Sequence, residues 1–149
     1  MASLRENEIQ NILKSFRDRT GIVSSTLFTE DGFLITVDHV NFNEDENYHQ
    51  SISALSAGIV SLAENCVEIL KENNKIKQVS IQAGDQLDND GFIIVLESVT
   101  YDIRLSVIFP IYLNLGIILF ELNQTIQKLS KYFSNHEQNE SLGNISSFQ

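Results

Sequence analysis

The stretch from Tyr48 to Asn73 constrains the chain most, because it is the longest helical pattern in the sequence and carries two contact faces. With Ile52 at zero on a wheel of about 100° per residue, Ile52, Leu55, Ile59, Leu62, Ala63, Cys66, Ile69 and Leu70 gather into one stripe. Such a stripe is expected to face the core. Beside it runs a strip of small or short residues, Ser53, Ser56, Ala57, Val60 and Val67, with Glu64 at its edge. Small residues let another backbone approach closely. The strip reads either as ordinary solvated surface or as an interface between two copies of the chain.

One domain is expected for a chain of 149 residues, and at that size about two-thirds of the unfolded surface can be buried without covalent staples. A formal net charge of -10, with ten Lys and Arg against twenty Asp and Glu, argues against nucleic acid as a partner, because phosphate binding needs clustered cations. An anionic membrane surface would be repelled for the same reason. The single cysteine leaves no internal disulfide, and Met1-Ala-Ser-Leu-Arg-Glu lacks the basic start and apolar run of a secretory signal. Both point to the cytoplasm. The uncharged run between Arg104 and Glu121 falls short of the roughly 20 residues of a spanning helix, and Pro110, Asn114 and Gly116 interrupt it. No membrane insertion is expected.

Along the chain, Ser3 and Glu6 have capping-box spacing, and Ile9, Ile12, Leu13 and Phe16 then recur at helical intervals. This first helix should end near Thr20, with Gly21 as its cap. Residues 22–28 and 33–37 are rich in β-branched and aromatic side chains, with Thr29-Glu30-Asp31-Gly32 between them, a strong hairpin signal. Residues 38–47 form an acidic loop leading into the long helix. Ile76 to Ala83 alternates, with Val79, Ile81 and Ala83 on one side and Gln78, Ser80 and Gln82 on the other, as in a half-exposed edge strand. Phe92 to Leu96 and Leu105 to Phe109 are nearly continuous apolar runs, expected of strands covered on both faces. After Pro110, the stripe Leu115, Ile118, Leu119, Leu122, Ile126, Leu129 and Phe133 predicts a last helix. Residues 1–133 make the domain, and the polar residues 134–149 are expected to be a flexible tail.

Chemistry finds little to work with. Residues 86–97 place Asp88, Asp90, Gly91 and Glu97 at calcium-loop spacings. Gln86 stands at the first ligand position, however, and the flanks read as strands rather than helices. An Asp-Asn-Asp-Gly turn explains the same residues. Cys66 falls within the apolar stripe, where a free cysteine is packing. His39, His49 and His136 lack zinc spacing and are expected to be solvated. No P-loop and no nucleophile elbow occur, so neither a cofactor, a metal nor an active site is expected.

Three local sequences, in their order, resemble the Roadblock family of dynein light-chain-like proteins. They are Gly21-Ile22-Val23-Ser24-Ser25-Thr26-Leu27-Phe28 running into Asp31-Gly32-Phe33-Leu34-Ile35, the long small-residue helix, and Asn114-Leu115-Gly116-Ile117-Ile118-Leu119-Phe120-Glu121-Leu122. The match covers residues 4–133. It implies an α+β, profilin-like, three-layer α/β/α sandwich with a five-stranded, mainly antiparallel sheet and element order α-β-β-α-β-β-β-α. It also implies a dimer, of two copies or with a paralogous Roadblock chain, built by laying the middle helices side by side and pairing the third strands edge to edge. On this chain those places are Ser53, Ser56, Ala57, Val60, Glu64 and Val67, with Val79 and Ile81. Members of the family serve as scaffolds or regulators for Ras-like small GTPases, or link cargo to dynein, so the resemblance implies a non-catalytic GTPase regulator docking its partner on the middle helix. A structural adaptor subunit of a larger dynein- or Ragulator-like assembly is the alternative, and a small-ligand or calcium sensor a further one. The acidic loop and the polar tail depart from the family pattern.

Overall fold

The computed structural model describes residues 4–40, 46–70, 75–84 and 90–146. Its elements run α1 (Leu4–Thr20), β1 (Ser24–Thr29), β2 (Leu34–His39), α2 (Glu46–Leu70), β3 (Gln78–Ala83), β4 (Phe92–Ser98), β5 (Ile103–Pro110) and α3 (Leu115–Ser146). The five strands form one sheet in the order β2-β1-β5-β4-β3, and every neighbouring pair is antiparallel. β1 therefore leaves its hairpin partner on one side and meets β5, the last strand, on the other. β2 and β3 are the two edges.

Antiparallel register sorts the side chains into two faces. Ser25, Val107 and Val95 are aligned across β1, β5 and β4 and share one face, as do Leu27 and Leu105. Ser24, Ile108 and Ile94 share the other, with Thr26, Ser106, Leu96 and Val79. On the first face lie α1 and α3, packed against each other. Ile9, Leu13 and Phe16 of α1, together with Ile118, Leu122 and Leu129 of α3, close over Leu27, Val95, Leu105, Val107 and Phe109 to form the main core. α1 stops where Gly21, at φ 79°, turns its N–H back to the Arg17 carbonyl at 2.8 Å. α3 starts at Asn114, whose Oδ1 accepts the Ile117 N–H at 3.2 Å as an N-cap.

Two ion pairs fix the α1 layer. Arg17 Nε donates to Asp38 Oδ2 at 2.6 Å, spanning from α1 to the end of β2, and Arg19 Nε reaches Glu121 Oε2 at 3.1 Å across the two helices. The hydrogen bond to Asp38, above all, holds the Arg17 guanidinium above its ordinary pKa, against the opposing effect of burial. Gln10 Nε2 also donates to the Val37 carbonyl at 3.0 Å, which occupies part of the β2 edge.

The last helix differs from expectation in two ways. Its 32 residues continue to Ser146, a length of about 48 Å, where a flexible tail was expected from Ser134 onward. Its buried line is Ile118, Leu122, Thr125 and Leu129, while Leu115 and Leu119 are exposed. The element order, the sheet and the three-layer arrangement agree with the sequence expectation.

Candidate functional site

α2 lies on the second face of the sheet, against β1 and β2, and it is turned the opposite way from the expectation above. Ser53, Ser56, Ala57 and Val60, read from sequence as the interface strip, are buried against the chain's own sheet, with Ser53 at 0% exposure. Glu64 and Val67 are half-buried beside them. Leu55 and Leu62, expected in the core, are each 68% exposed, and Ile59, Cys66, Ile69 and Leu70 also face outward. Ile52 and Ala63 are half-buried at the border between the two faces.

The physical reason is the closeness of the two layers. Gly32, in the β1–β2 turn at φ 91°, lies so near α2 that a Cβ there would meet the Ala54 Cα at 3.0 Å and the Ala57 Cβ at 3.4 Å. At that spacing only short side chains fit between helix and hairpin. The small-residue strip does admit a neighbouring backbone, but that backbone belongs to the same chain.

Beneath α2 the sheet presents Ser24, Thr26 and Ser106, all buried, together with Phe28 and Leu96. At the N-terminal end of the helix His39 and His49 are both buried, their rings edge to face at 5.3 Å, and Tyr48 packs edge-on against His49 at 5.1 Å. This corrects the expectation of solvated histidines: His39 occupies the sheet face that α2 covers, a placement that becomes visible only once the β1–β2 register is known. Toward the other end Arg104 Nη2 donates to Glu64 Oε1 at 2.8 Å, with the Arg104 side chain 8% exposed. Glu30, Asp31 and Ser61 join this pair around a polar cleft of about 230 Å³.

α2 covers only one side of the sheet's second face. Between it and the β3 edge lies an apolar groove of about 460 Å³, walled by Ile52, Leu55 and Ile59 and floored by Ile81, Ile94, Leu96 and Ile108. Phe92, half exposed, closes one end. Phe92 to Leu96 of β4 is apolar on both faces, whereas β5 carries Arg104 and Ser106 beside Ile108 on the α2 side; against the expectation of strands covered on both faces, Ile94 and Ile108 are only half-buried there. The groove runs on to β3, an edge strand on which Val79 and Ile81 are half-buried and turned to the α2 side, while Gln78, Ser80 and Gln82 are exposed on the other.

Helix α2 is also long enough, and apolar enough in composition, to cross a membrane. Its buried serine and histidine face gives it a one-sided apolar surface. Among the described residues no group of three or more His, Cys, Asp or Glu is placed to hold a metal ion. Residues 86–89 of the calcium-like stretch and 41–45 of the acidic loop lie outside the described residues; Phe92–Ser98 is strand, where a calcium loop would need a helix.

A single antiparallel sheet thus lies between one helix and a helical pair, and the lone helix presents an apolar stripe outward. Solved structures with this fold align over nearly the whole chain. The gliding protein MglB from Thermus thermophilus matches with a TM-score of 0.74 at 12% identity, over 89% of this chain and 93% of its own. MglB of Myxococcus xanthus gives 0.74 at 20% identity, covering 91% and 94%. A Roadblock/LC7 domain from Streptomyces avermitilis gives 0.72 at 15%, covering 84% and 97%. At these identities the likeness is one of fold. No protein-family model and no curated protein matches the sequence.

Proposed function

We propose that the chain is a homodimeric, non-catalytic regulator or scaffold of a Ras-like small GTPase, acting in the cytoplasm. The observation that carries this reading is the apolar surface formed by the outer stripe of α2, the groove beside it and the β3 edge. An exposed edge strand next to an exposed apolar helix invites aggregation unless something covers both. A second copy related by a two-fold axis covers both at once, because β3 pairs with β3 and the outer stripe of each α2 enters the neighbouring groove. The interface residues are then Leu55, Ile59 and Leu62 with Val79 and Ile81, and Ser53, Ser56, Ala57 and Val60 support them from below. Full burial of a leucine stabilises by about 1.5–3 kcal/mol, so Leu55 and Leu62, two-thirds exposed in each copy, supply a large part of what pairing requires. The fold likeness to MglB and to Roadblock/LC7 domains and the Roadblock resemblance of the sequence support a GTPase as the partner of the assembled platform.

Light scattering tests the pairing directly, with an expected mass of twice 16.8 kDa. Leu62→Asp should give a folded monomer, and a wild-type monomer at every concentration would refute the reading. Pull-down against the host's small GTPases, comparing GDP with a GTP analogue, tests the partner. Capture that depends on the nucleotide supports a regulator, whereas nucleotide-independent capture points to an adaptor.

A further inference from the structure

We propose that α2 is a separable layer: it lifts from the sheet while α1, the sheet and α3 stay folded, and burial of its outer stripe by a second copy clamps it down. The clamping half rests on the pairing reading above; the separability does not. The hydrophobic core joins α1, the strands and α3, and contains no residue of α2. What lies under the middle of α2 is a seam of short hydroxyl and methyl side chains, Ser53, Ser56 and Ala57 against Ser24, Thr26 and Ser106, with Phe28, Leu96 and Val60 beside it. Such a seam removes little apolar area from water, and apolar area is what makes a helix adhere to a sheet.

The hydroxyls do little to stitch the layers. Ser53 Oγ donates to the His49 carbonyl of its own helix at 3.0 Å, and Ser106 Oγ is buried with no hydrogen-bond partner, a group that water would satisfy if the helix lifted. The large side chains of α2, by contrast, point away from the sheet, with Leu55, Leu62 and Ile69 all more than half exposed. Phe28, Leu96, Val60, the buried His39–His49 contact and the Arg104–Glu64 pair hold the helix in place. They are few beside the interlocked α1–α3 core. Elements with little buried apolar area open locally at lower cost than the global unfolding of the chain.

Hydrogen exchange followed by mass spectrometry on the full chain tests this. In dilute solution, amides of residues 51–66 should exchange at least about tenfold faster than those of α1 and of residues 118–130 in α3, and their protection should rise with concentration in step with dimer mass. Ser106→Ala, which removes the orphaned hydroxyl, should slow α2 exchange several-fold and leave α1 and α3 unchanged. Equal protection of α2, α1 and α3 in dilute solution, or in the Leu62→Asp chain, overturns separability. Protection of α2 that ignores concentration while the dimer forms overturns clamping. If the chain proves monomeric throughout, the pairing reading falls, and α2 exchange in that monomer still decides whether the layer separates.

Discussion

Two glycines with nearly the same backbone and very different surroundings allow the contact between α2 and the hairpin to be weighed. Gly21 and Gly32 have φ of 79° and 91°, but a Cβ at Gly21 would meet nothing within 4 Å whereas one at Gly32 would press on the α2 backbone at Ala54. Alanine at either position carries the strain of the left-handed region, about 1–2 kcal/mol. At Gly32 the overpacked contact adds about 1–3 kcal/mol, because the atom it meets is backbone and cannot swing aside. Gly21→Ala should therefore lower stability by about 1–2 kcal/mol, and Gly32→Ala by about 2–5 kcal/mol. Urea unfolding with an unchanged m-value measures both, and the difference should appear in melting as about 3–9 °C. If α2 lifts to relieve the contact, the excess appears as lost amide protection across α2 rather than as a lower midpoint. Equal costs for the two substitutions, with α2 protection unchanged, would refute the close approach as the reason for the small-residue strip.

Two other substitutions probe the α1–α3 side. Arg17→Ala leaves the Asp38 carboxylate, 1% exposed, buried without its cation, and should cost about 3–5 kcal/mol by denaturant unfolding. Because the Arg17 pKa is raised in the fold, the pair's contribution is complete below the unfolded-state value and is lost only as pH rises through the higher folded one. Wild-type stability should therefore show no loss from this pair between pH 7 and about pH 11; a decline there that Arg17→Ala abolishes would contradict the assignment. Asn114→Ala removes the N-cap of α3 and should cost about 1 kcal/mol, with a thermal melt showing no change as the disproof.

Strands and turns were legible in the sequence because their signals are local. Asp31-Gly32 marks the first hairpin and the alternation from Gln78 to Ala83 marks an edge, and both stand where expected. The orientation of α2 was not legible, since the rule that the large apolar stripe faces inward presumes that everything covering the stripe lies in the same chain. Leu55 and Leu62, each 68% exposed, are covered by nothing in their own chain. The spacing of Ser53, Ser56, Ala57 and Val60 carried the correct physics, close approach of a backbone, without naming which backbone. A variant such as Val60→Arg, which sequence reasoning would choose to break a dimer, instead buries a charge against the sheet. The burial of His39 and His49 depended on pairings distant in sequence, and the continuation of α3 through the polar residues 134–140 has no apolar period to announce it.

The division of α2 into a short-chained inner face and a large apolar outer face also separates two kinds of information. The inner face specifies how the helix sits, and its tolerance is set by ångström-scale clearance at Gly32. Leu55 and Leu62, each 68% exposed, touch little of their own chain and can be rewritten without disturbing the seat beneath them. Helix α2 is in that sense an exchangeable face on a fixed mount: recoding Leu55 and Leu62 would change the surface offered beside the β3 edge while leaving the α1–α3 core as it is.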